Sequence, residues 1–493
     1  MTKKIQNYIT TSNNYGKLTI LIGVLIAFPM LVVPFFTDES EYLTAFLLPS
    51  VILVALGLIV CLAFPNKEKL VTVWRSPLQN GSLPVLFTWG LAVIAGAFPF
   101  MLGGQFDGVF LHAFFESVSG WTTTGLSLAD VAIMPRIFLF YRAFMQFCGG
   151  IGFIIMIAML IRGKQTFNLY NTEGHTDRIM PSITKTAQLI FMLYCGLLIA
   201  GILAYSIYGM PMFDAICHAM SAVSTAGFST QANSIGEYNS AAIEIITIIL
   251  MLFGSTNFAV ILLLFRGKFR RLSRVSEARF MLGVVFMFST LVAFSLIRYM
   301  EMGLATGTLN ALFAVISTFT SSGYSVFDYY VELPPFATGL LFLLMFIGGS
   351  AGSTAGGIKL IRTYLLLQAA KENVKSKLSP SRRVTQPVFF RTYGKIPIDD
   401  KLIKDTLGFV ACYMVVYICG VLLLTLTSGA LLFDAMFEFA SALGTTGLSN
   451  GLTSVETPPL ALFVLIAGML LGRLEILIIF AGIYTIMRAI RLK

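Results

Sequence analysis

Four short strings of the chain follow one plan. They read TTTGLS around Gly125, STAGFS around Gly227, TSSGYS around Gly323 and GTTGLS around Gly447. A hydroxyl residue stands two positions before each glycine: Thr123, Thr225, Ser321 and Thr445. Thr124, Ala226, Ser322 and Thr446 stand between. Serine recurs two positions after the glycine (Ser127, Ser229, Ser325, Ser449) and six before it (Ser119, Ser221, Ser317, Ser441), and alanine twelve before it (Ala113, Ala215, Ala311, Ala435). Columns that match in all four copies mark an internal repeat. The chemistry these residue types suit is oxygen coordination of a cation that has lost its water. Rings of backbone carbonyls can supply that shell. Glycine admits positive φ and brings no side chain into the ring, and Thr and Ser add hydroxyl oxygens. The strings contain no carboxylate, so an acidic ring is not expected to set selectivity. Glu116 and Glu438, nine before the glycine where His218 and Ala314 stand in the other copies, read as packing or orienting groups.

Irregular backbone of this kind is tolerated at membrane depth only where it is buried or lines water. The rest of the sequence places it at that depth. The 493 residues are 57% hydrophobic and 12% charged, and soluble domains carry about 25% charged residues. Apolar runs near 18–36 and 43–64 form a hairpin around Asp38, Glu39 and Glu41, the first read as a retained anchor helix. Then a plan recurs four times: a full-length helix, a short apolar segment, the glycine string, a second long helix. First helices are expected near 83–103, 186–208, 278–300 and 403–428, second helices near 137–161, 241–265, 337–370 and 458–487. The short segments 109–121, 212–223, 308–319 and 432–443 cannot span. As re-entrant helices they would aim their negative C-terminal ends at a cation. About 24 to 27 residues after each string glycine comes another: Gly149, Gly254, Gly348 with Gly349, and Gly472.

Thirty of the 34 Lys and Arg residues fall in segments 1–17, 65–82, 162–185, 266–279, 359–404 and 488–493. The alternate connections carry acids, among them Asp107, Asp130, Asp214, Glu237, Asp328, Glu332, Asp434 and Glu456. The positive-inside rule then puts both termini and the basic loops in the cytoplasm, and all four strings enter from outside. The net charge of +10 thus reflects topology rather than nucleic-acid binding. Arg136 and Arg298 fall near outer helix ends, where snorkelling accounts for them. Arg142 and Arg473 sit deeper, where a charge needs a cavity or a partner.

The string GGSAGSTAGGIK interrupts the second helix of the third repeat. Its residues Gly348, Gly349, Ser350, Ala351, Gly352, Ser353, Thr354, Ala355, Gly356 and Gly357 lack phosphate-loop spacing. They read as a flexible plug or gate under the strings. At the matching place in the fourth repeat stands Gly472-Arg473-Leu474-Glu475. Arg473 would put a positive charge below the ring and raise a barrier to cations, or pair with Glu475 or with loop carbonyls.

The strings FFESVSGWTTTG, FDAICHAMSAVSTAGFST, FIGGSAGSTAGGIK and MLLGRLE together resemble the Trk/Ktr/HKT superfamily of potassium transporters, over nearly the whole chain. The N-terminal hairpin favours its longer members over the KtrB-like ones. The resemblance implies that the four glycines form a potassium filter, the potassium ion being the cargo. It also implies a homodimer with one pore per protomer, and a cytosolic TrkA-like ring of nucleotide-binding regulatory subunits. The basic loops 266–279 and 359–404 are candidate docking surfaces, and no nucleotide is expected on this chain.

The expected fold is an all-α polytopic membrane protein with about ten transmembrane helices. An N-terminal hairpin and cytoplasmic link (1–80) precede pore-loop repeats at 81–180, 181–275, 276–395 (with the gate loop) and 396–493, around one central pore. The expected function is channel-like potassium uptake across a bacterial cytoplasmic membrane. The alternative is a proton- or sodium-coupled symporter, although such proteins use inverted rather than parallel repeats. An enzyme is not expected: His112, His175 and His218 do not cluster with carboxylates in the sequence, and there is no nucleophile motif.

Overall fold

The computed structural model describes residues 3–64, 77–152, 182–327, 333–378, 387–392 and 394–491. Residues 153–161 of the first repeat's second helix lie outside the described residues. So do His175, Asp328, Glu332, Arg382, Arg383 and most of the basic connections at 65–82 and 162–185.

The chain opens with α1 (Lys3–Ala27) and α2 (Leu43–Ala63), joined by 3-10 turns at Phe28–Phe35 and Thr37–Tyr42. Pro29 and Pro34 lie in the first turn, where missing backbone donors end the α-helix. The first repeat has α3 (Pro77–Leu102), α4 (Phe110–Trp121) and α5 (Arg136–Ile151). The second has α6 (Ile183–Ile207), α7 (Met212–Val223), α8 (Ala241–Ser255) and α9 (Phe258–Phe265), then a one-turn α10 (Phe269–Leu272). The third has α11 (Ser276–Tyr299), α12 (Leu304–Phe319), α13 (Pro335–Met345) and α14 (Leu360–Leu378). The fourth has α15 (Asp400–Ser428), α16 (Leu432–Gly444), α17 (Pro459–Arg473) and α18 (Ile476–Arg491).

Among the described residues, the hairpin and the four first helices supply six helices long and apolar enough to cross a membrane, and the count reaches eight if each bent pair is one span. The short helices α4, α7, α12 and α16 pack against the first helix of their own repeat. They are buried around the centre: Phe115, Val118, Phe313, Val315, Phe437 and Leu443 have no exposed surface. With 12, 12, 16 and 13 residues, the third starting at Leu304 rather than at 308, they cover about 18–24 Å, short of the hydrocarbon thickness.

Two of the second helices depart from expectation by bending sharply, and a third is interrupted where the string GGSAGSTAGGIK led us to expect it; α5 is continuous over its described residues. α8 and α9 meet at 117° and α17 and α18 at 102°. α13 stops at Met345, and α14 resumes only at Leu360. Each break falls on polar or glycine residues inside an apolar run: Ser255-Thr256-Asn257, Gly348–Gly357 and Gly472–Glu475. Asn257 starts the new helix by accepting the Ala259 amide, 2.8 Å away. Glu475 holds φ at +55° at its break. The basic 359–404 segment also contains an antiparallel pair, β1 (Val388–Arg391) and β2 (Gly394–Pro397). Phe389 and Ile398 pack there on Ile361 and Leu365 of α14.

A buried carboxylate adds a hydrogen-bonded tie between the hairpin and the repeats, beside ring contacts such as Phe46 on Tyr141 and Phe28 on Phe144. Glu39 accepts the amides of Arg136 and Ile137, each at 2.8 Å, and so caps α5. A carboxylate at a helix N-terminus satisfies otherwise unpaired amides and complements the dipole. Glu39→Ala is expected to cost about 1–2 kcal/mol. It should lower the thermal midpoint of the detergent-purified protein, with Glu39→Gln lowering it less. Equal midpoints for wild type and Glu39→Ala would contradict this role.

Candidate functional site

Each short helix ends four residues before its string glycine, or runs one turn-residue further, and the same turn follows in all four repeats. The amides of Thr123, Thr225, Ser321 and Thr445 donate to Gly120, Ala222, Thr318 and Ala442 at 3.1–3.2 Å. Those of Thr124, Ala226, Ser322 and Thr446 donate to Ser119, Ser221, Ser317 and Ser441 at 2.8–3.0 Å. Two amides of each string are thus bonded to its short helix.

The backbone alternates in handedness. Thr123, Thr225, Ser321 and Thr445 have φ between +50° and +54°, and Gly125, Gly227, Gly323 and Gly447 between +73° and +94°. The residue between them does not have positive φ. Such alternation turns successive carbonyls to one side. A left-handed residue with a Cβ is disfavoured by about 1–2 kcal/mol, so four copies of it mark an imposed geometry.

The four strings close a ring. A Cβ added at Gly125 would collide with the carbonyl of Ala226, at Gly227 with that of Ser322, at Gly323 with that of Thr446, and at Gly447 with that of Thr124. Each contact runs to the next repeat, and the fourth returns to the first. All twelve residues read from the sequence as one site therefore come together. The second set of glycines brings the second helices against this ring from behind. A Cβ at Gly149, Gly254 or Gly472 would strike the carbonyl of Trp121, Val223 or Leu443, the residue four before the string glycine in each case.

Side chains fix the strand that leaves each string. Glu116 accepts from Ser127 Oγ at 2.9 Å, the Leu128 amide at 3.0 Å and Arg142 Nε at 2.6 Å. Arg142 also reaches Ser127 Oγ at 2.8 Å and the Ser229 carbonyl of the next repeat at 3.3 Å. The deep arginine thus has its partner. Glu438 accepts from Ser449 Oγ at 2.8 Å, the Asn450 amide at 3.2 Å and the Thr453 hydroxyl. His218 spans the Asp214 carbonyl (2.8 Å) and Ser229 Oγ (3.0 Å). A carbonyl only accepts, so Nδ1 carries the proton there. These groups orient the strands, as their spacing suggests. In the third repeat, which has Ala314 at that place, Ser325 Oγ turns to the Phe327 carbonyl at 2.7 Å.

The loop 348–357 lies against one end of the ring. The Gly356 amide donates to Ser321 Oγ at 2.9 Å, and Thr354 Oγ1 lies 2.9 Å from Thr225 Oγ1. A Cβ on Gly356 would collide with Thr445 Oγ1. Three of the four left-handed residues thus touch the loop. The broken second repeat holds its other side: Ser255 accepts the Ser350 amide at 2.9 Å, Gly254 accepts Thr354 Oγ1 at 3.0 Å, and Asn257 donates to the Ala351 carbonyl at 2.6 Å. Lys359 closes the loop by donating to Ala355 at 2.5 Å.

Arg473 donates to the Thr354 carbonyl and to those of Gly149 and Gly150, at 2.5 and 3.0 Å. Of the partners open to it from the sequence, it takes loop carbonyls. Glu475 pairs instead with Arg362 at 2.9 Å. Sequence reasoning missed Asn257, Lys359 and Gln146. A polar run GSTN inside an apolar helix was the signal for the first, and a lone glutamine in the aromatic stretch of α5 for the last.

Comparison with known proteins agrees with this architecture. Residues 53–487 match the TrkH family model, described as cation transport protein. The chain is 32% identical over 478 residues to the Trk system potassium uptake protein TrkH of Salmonella typhimurium, covering 94% of this chain and 95% of that protein. The Escherichia coli K12 protein of the same name is likewise 32% identical over 94% of this chain and 95% of its own length. The crystal structure of the potassium transporter TrkH from Vibrio parahaemolyticus superposes with a TM-score of 0.83 at 28% identity, covering 96% of this chain and 98% of that one. With the family model matched along 53–487 and relatives of this identity along nearly the whole length, the chain belongs to the TrkH family of cation transport proteins.

Proposed function

We propose that this chain is the membrane subunit of a potassium uptake system and conducts potassium through the ring of four strings, in the manner of a channel. The observation that carries the reading is the closed cycle of contacts from Gly125 through Gly227, Gly323 and Gly447 back to Gly125. Amides consumed by the short helices and carbonyls turned to one side leave an oxygen-lined passage that suits a dehydrated cation. Relatives named as potassium uptake proteins support potassium as that cation. The four repeats run in parallel, which favours a pore over a symporter.

In this reading the loop 348–357 is the gate, seated against the cytoplasmic end of the ring, and Arg473 is its lock. The basic loops face the cytoplasm with both termini. A cytosolic nucleotide-binding partner docks on 266–279 and 359–404 and pulls the loop away through α14, which continues directly from it. The protein acts as a homodimer in the cytoplasmic membrane. The external faces carry most of the acids, which draws cations to the mouth.

The ring is tested with purified protein in liposomes, measuring potassium, rubidium, sodium and lithium flux at a set voltage. Wild-type flux should follow the voltage and prefer potassium. Gly227→Ser should collide with Ser322 and reduce potassium preference over sodium about tenfold, equivalent to ~1.4 kcal/mol. Flux that appears only with a proton or sodium gradient would replace this reading with the symporter.

Arg473 is tested with two variants. Arg473→Ala removes both charge and tether and should raise potassium flux severalfold. Arg473→Lys keeps the charge but loses the fork that reaches Thr354 and Gly149 together. Raised flux in both variants assigns the lock to the tether, and raised flux in Arg473→Ala alone assigns it to the charge. Unchanged flux in Arg473→Ala would remove Arg473 from gating.

A further inference from the structure

The four repeats are not equivalent behind the ring. Three residues before the inner glycine of the second helix stand Met251, Met345 and Met469 in repeats two, three and four, all buried. In the first repeat the same position is Gln146, with no exposed surface. Its Nε2 donates to the carbonyl of Ala226 at 2.9 Å. Its Oε1 accepts from Ser221 Oγ at 2.5 Å and from the Phe228 amide at 3.1 Å. The orientation of the side-chain amide follows from its partners. Phe228 N–H can only donate and Ala226 C=O can only accept, so the oxygen must face Phe228 and the nitrogen Ala226.

Ala226 O is one of the four carbonyls that pack on the next glycine of the ring. Among the described residues, no side chain donates to its counterparts on Thr124, Ser322 and Thr446. The serine that precedes each string also differs in its use. Ser221 anchors Gln146, Ser119 Oγ accepts the Gly125 amide at 3.1 Å, and Ser317 Oγ donates to the Tyr324 carbonyl at 2.6 Å.

We propose that Gln146 is a specificity-determining positioning residue, which pins the Ala226 carbonyl and so sets how far one quarter of the ring can close on a cation. The proposal rests on the reading of the ring as the ion filter. A smaller ion such as sodium is coordinated well only if the carbonyls move inward, whereas potassium fits a wider ring. A carbonyl oxygen bonded by a buried amide, itself fixed by two further bonds, resists that movement. The bond also occupies one lone pair and weakens the field the oxygen presents. Both effects favour the larger ion, whether discrimination arises from cavity size or from field strength.

The test compares wild type, Gln146→Met and Gln146→Glu in liposomes under a set voltage, reading the potassium-to-sodium flux ratio beside the absolute potassium flux. Gln146→Met installs the residue of the other three repeats, and Gln146→Glu keeps size and acceptor but removes the donor. Both should lower the ratio at least threefold while potassium flux is retained. A variant that folds, conducts potassium and keeps the wild-type ratio overturns the proposal. If Gln146→Met yields no folded protein, Gln146→Glu decides by the same ratio. If neither folds, the residue is structural and the proposal falls. The parent reading fails separately, when wild type itself shows no potassium-selective flux.

Discussion

Backbone amides at the depth of a bilayer have no water to bond, and every one left over is costly. The four strings meet that constraint within their own turn. Their amides donate back into the short helices at 2.8–3.2 Å, with the same donor and acceptor offsets in each repeat. Along each string φ is positive at the hydroxyl residue and at the glycine and not at the residue between them. In the proposed reading, satisfying the amides and presenting oxygens to a cation are one requirement. The short helices exist to meet it, and the full-length helices exist to carry the short ones.

Closeness is the second requirement, and it explains the glycines. Those of the strings let one repeat's carbonyl lie against a neighbouring repeat's backbone, and Gly149, Gly254 and Gly472 let three of the second helices touch the end of their short neighbours. In water, apolar burial would press such elements together. In lipid that drive is absent, and close backbone approach with interhelical hydrogen bonds takes its place. Arg142 serves the same end from a different direction, since its guanidinium joins strands of two repeats and its charge is balanced by Glu116 at 2.6 Å.

Much of this was legible in the sequence, because repetition amplifies weak signals. One Gly-centred hydroxyl string means little; four at matched offsets, each followed by a glycine about 25 residues later, define the ring and the elements behind it. The short helices were expected at 212–223 and 432–443 and lie at Met212–Val223 and Leu432–Gly444. Departures from the repeat were harder to see. The bend at Ser255–Asn257 stayed hidden because a three-residue polar patch leaves the hydropathy of its run almost unchanged. Gln146 takes partners on the second repeat, two of them backbone groups, and a backbone group has no letter in a sequence. The β1–β2 pair sits in a segment whose dominant signal is charge.

A ring assembled from four separate but identical chains can only be altered in all its quarters at once. Here the quarters belong to one polypeptide, and Met stands at three of the matching positions while Gln stands at the fourth. The covalent link between repeats thus makes each quarter independently heritable. A single-residue change can therefore alter one quarter of the ring while the other three keep their sequence.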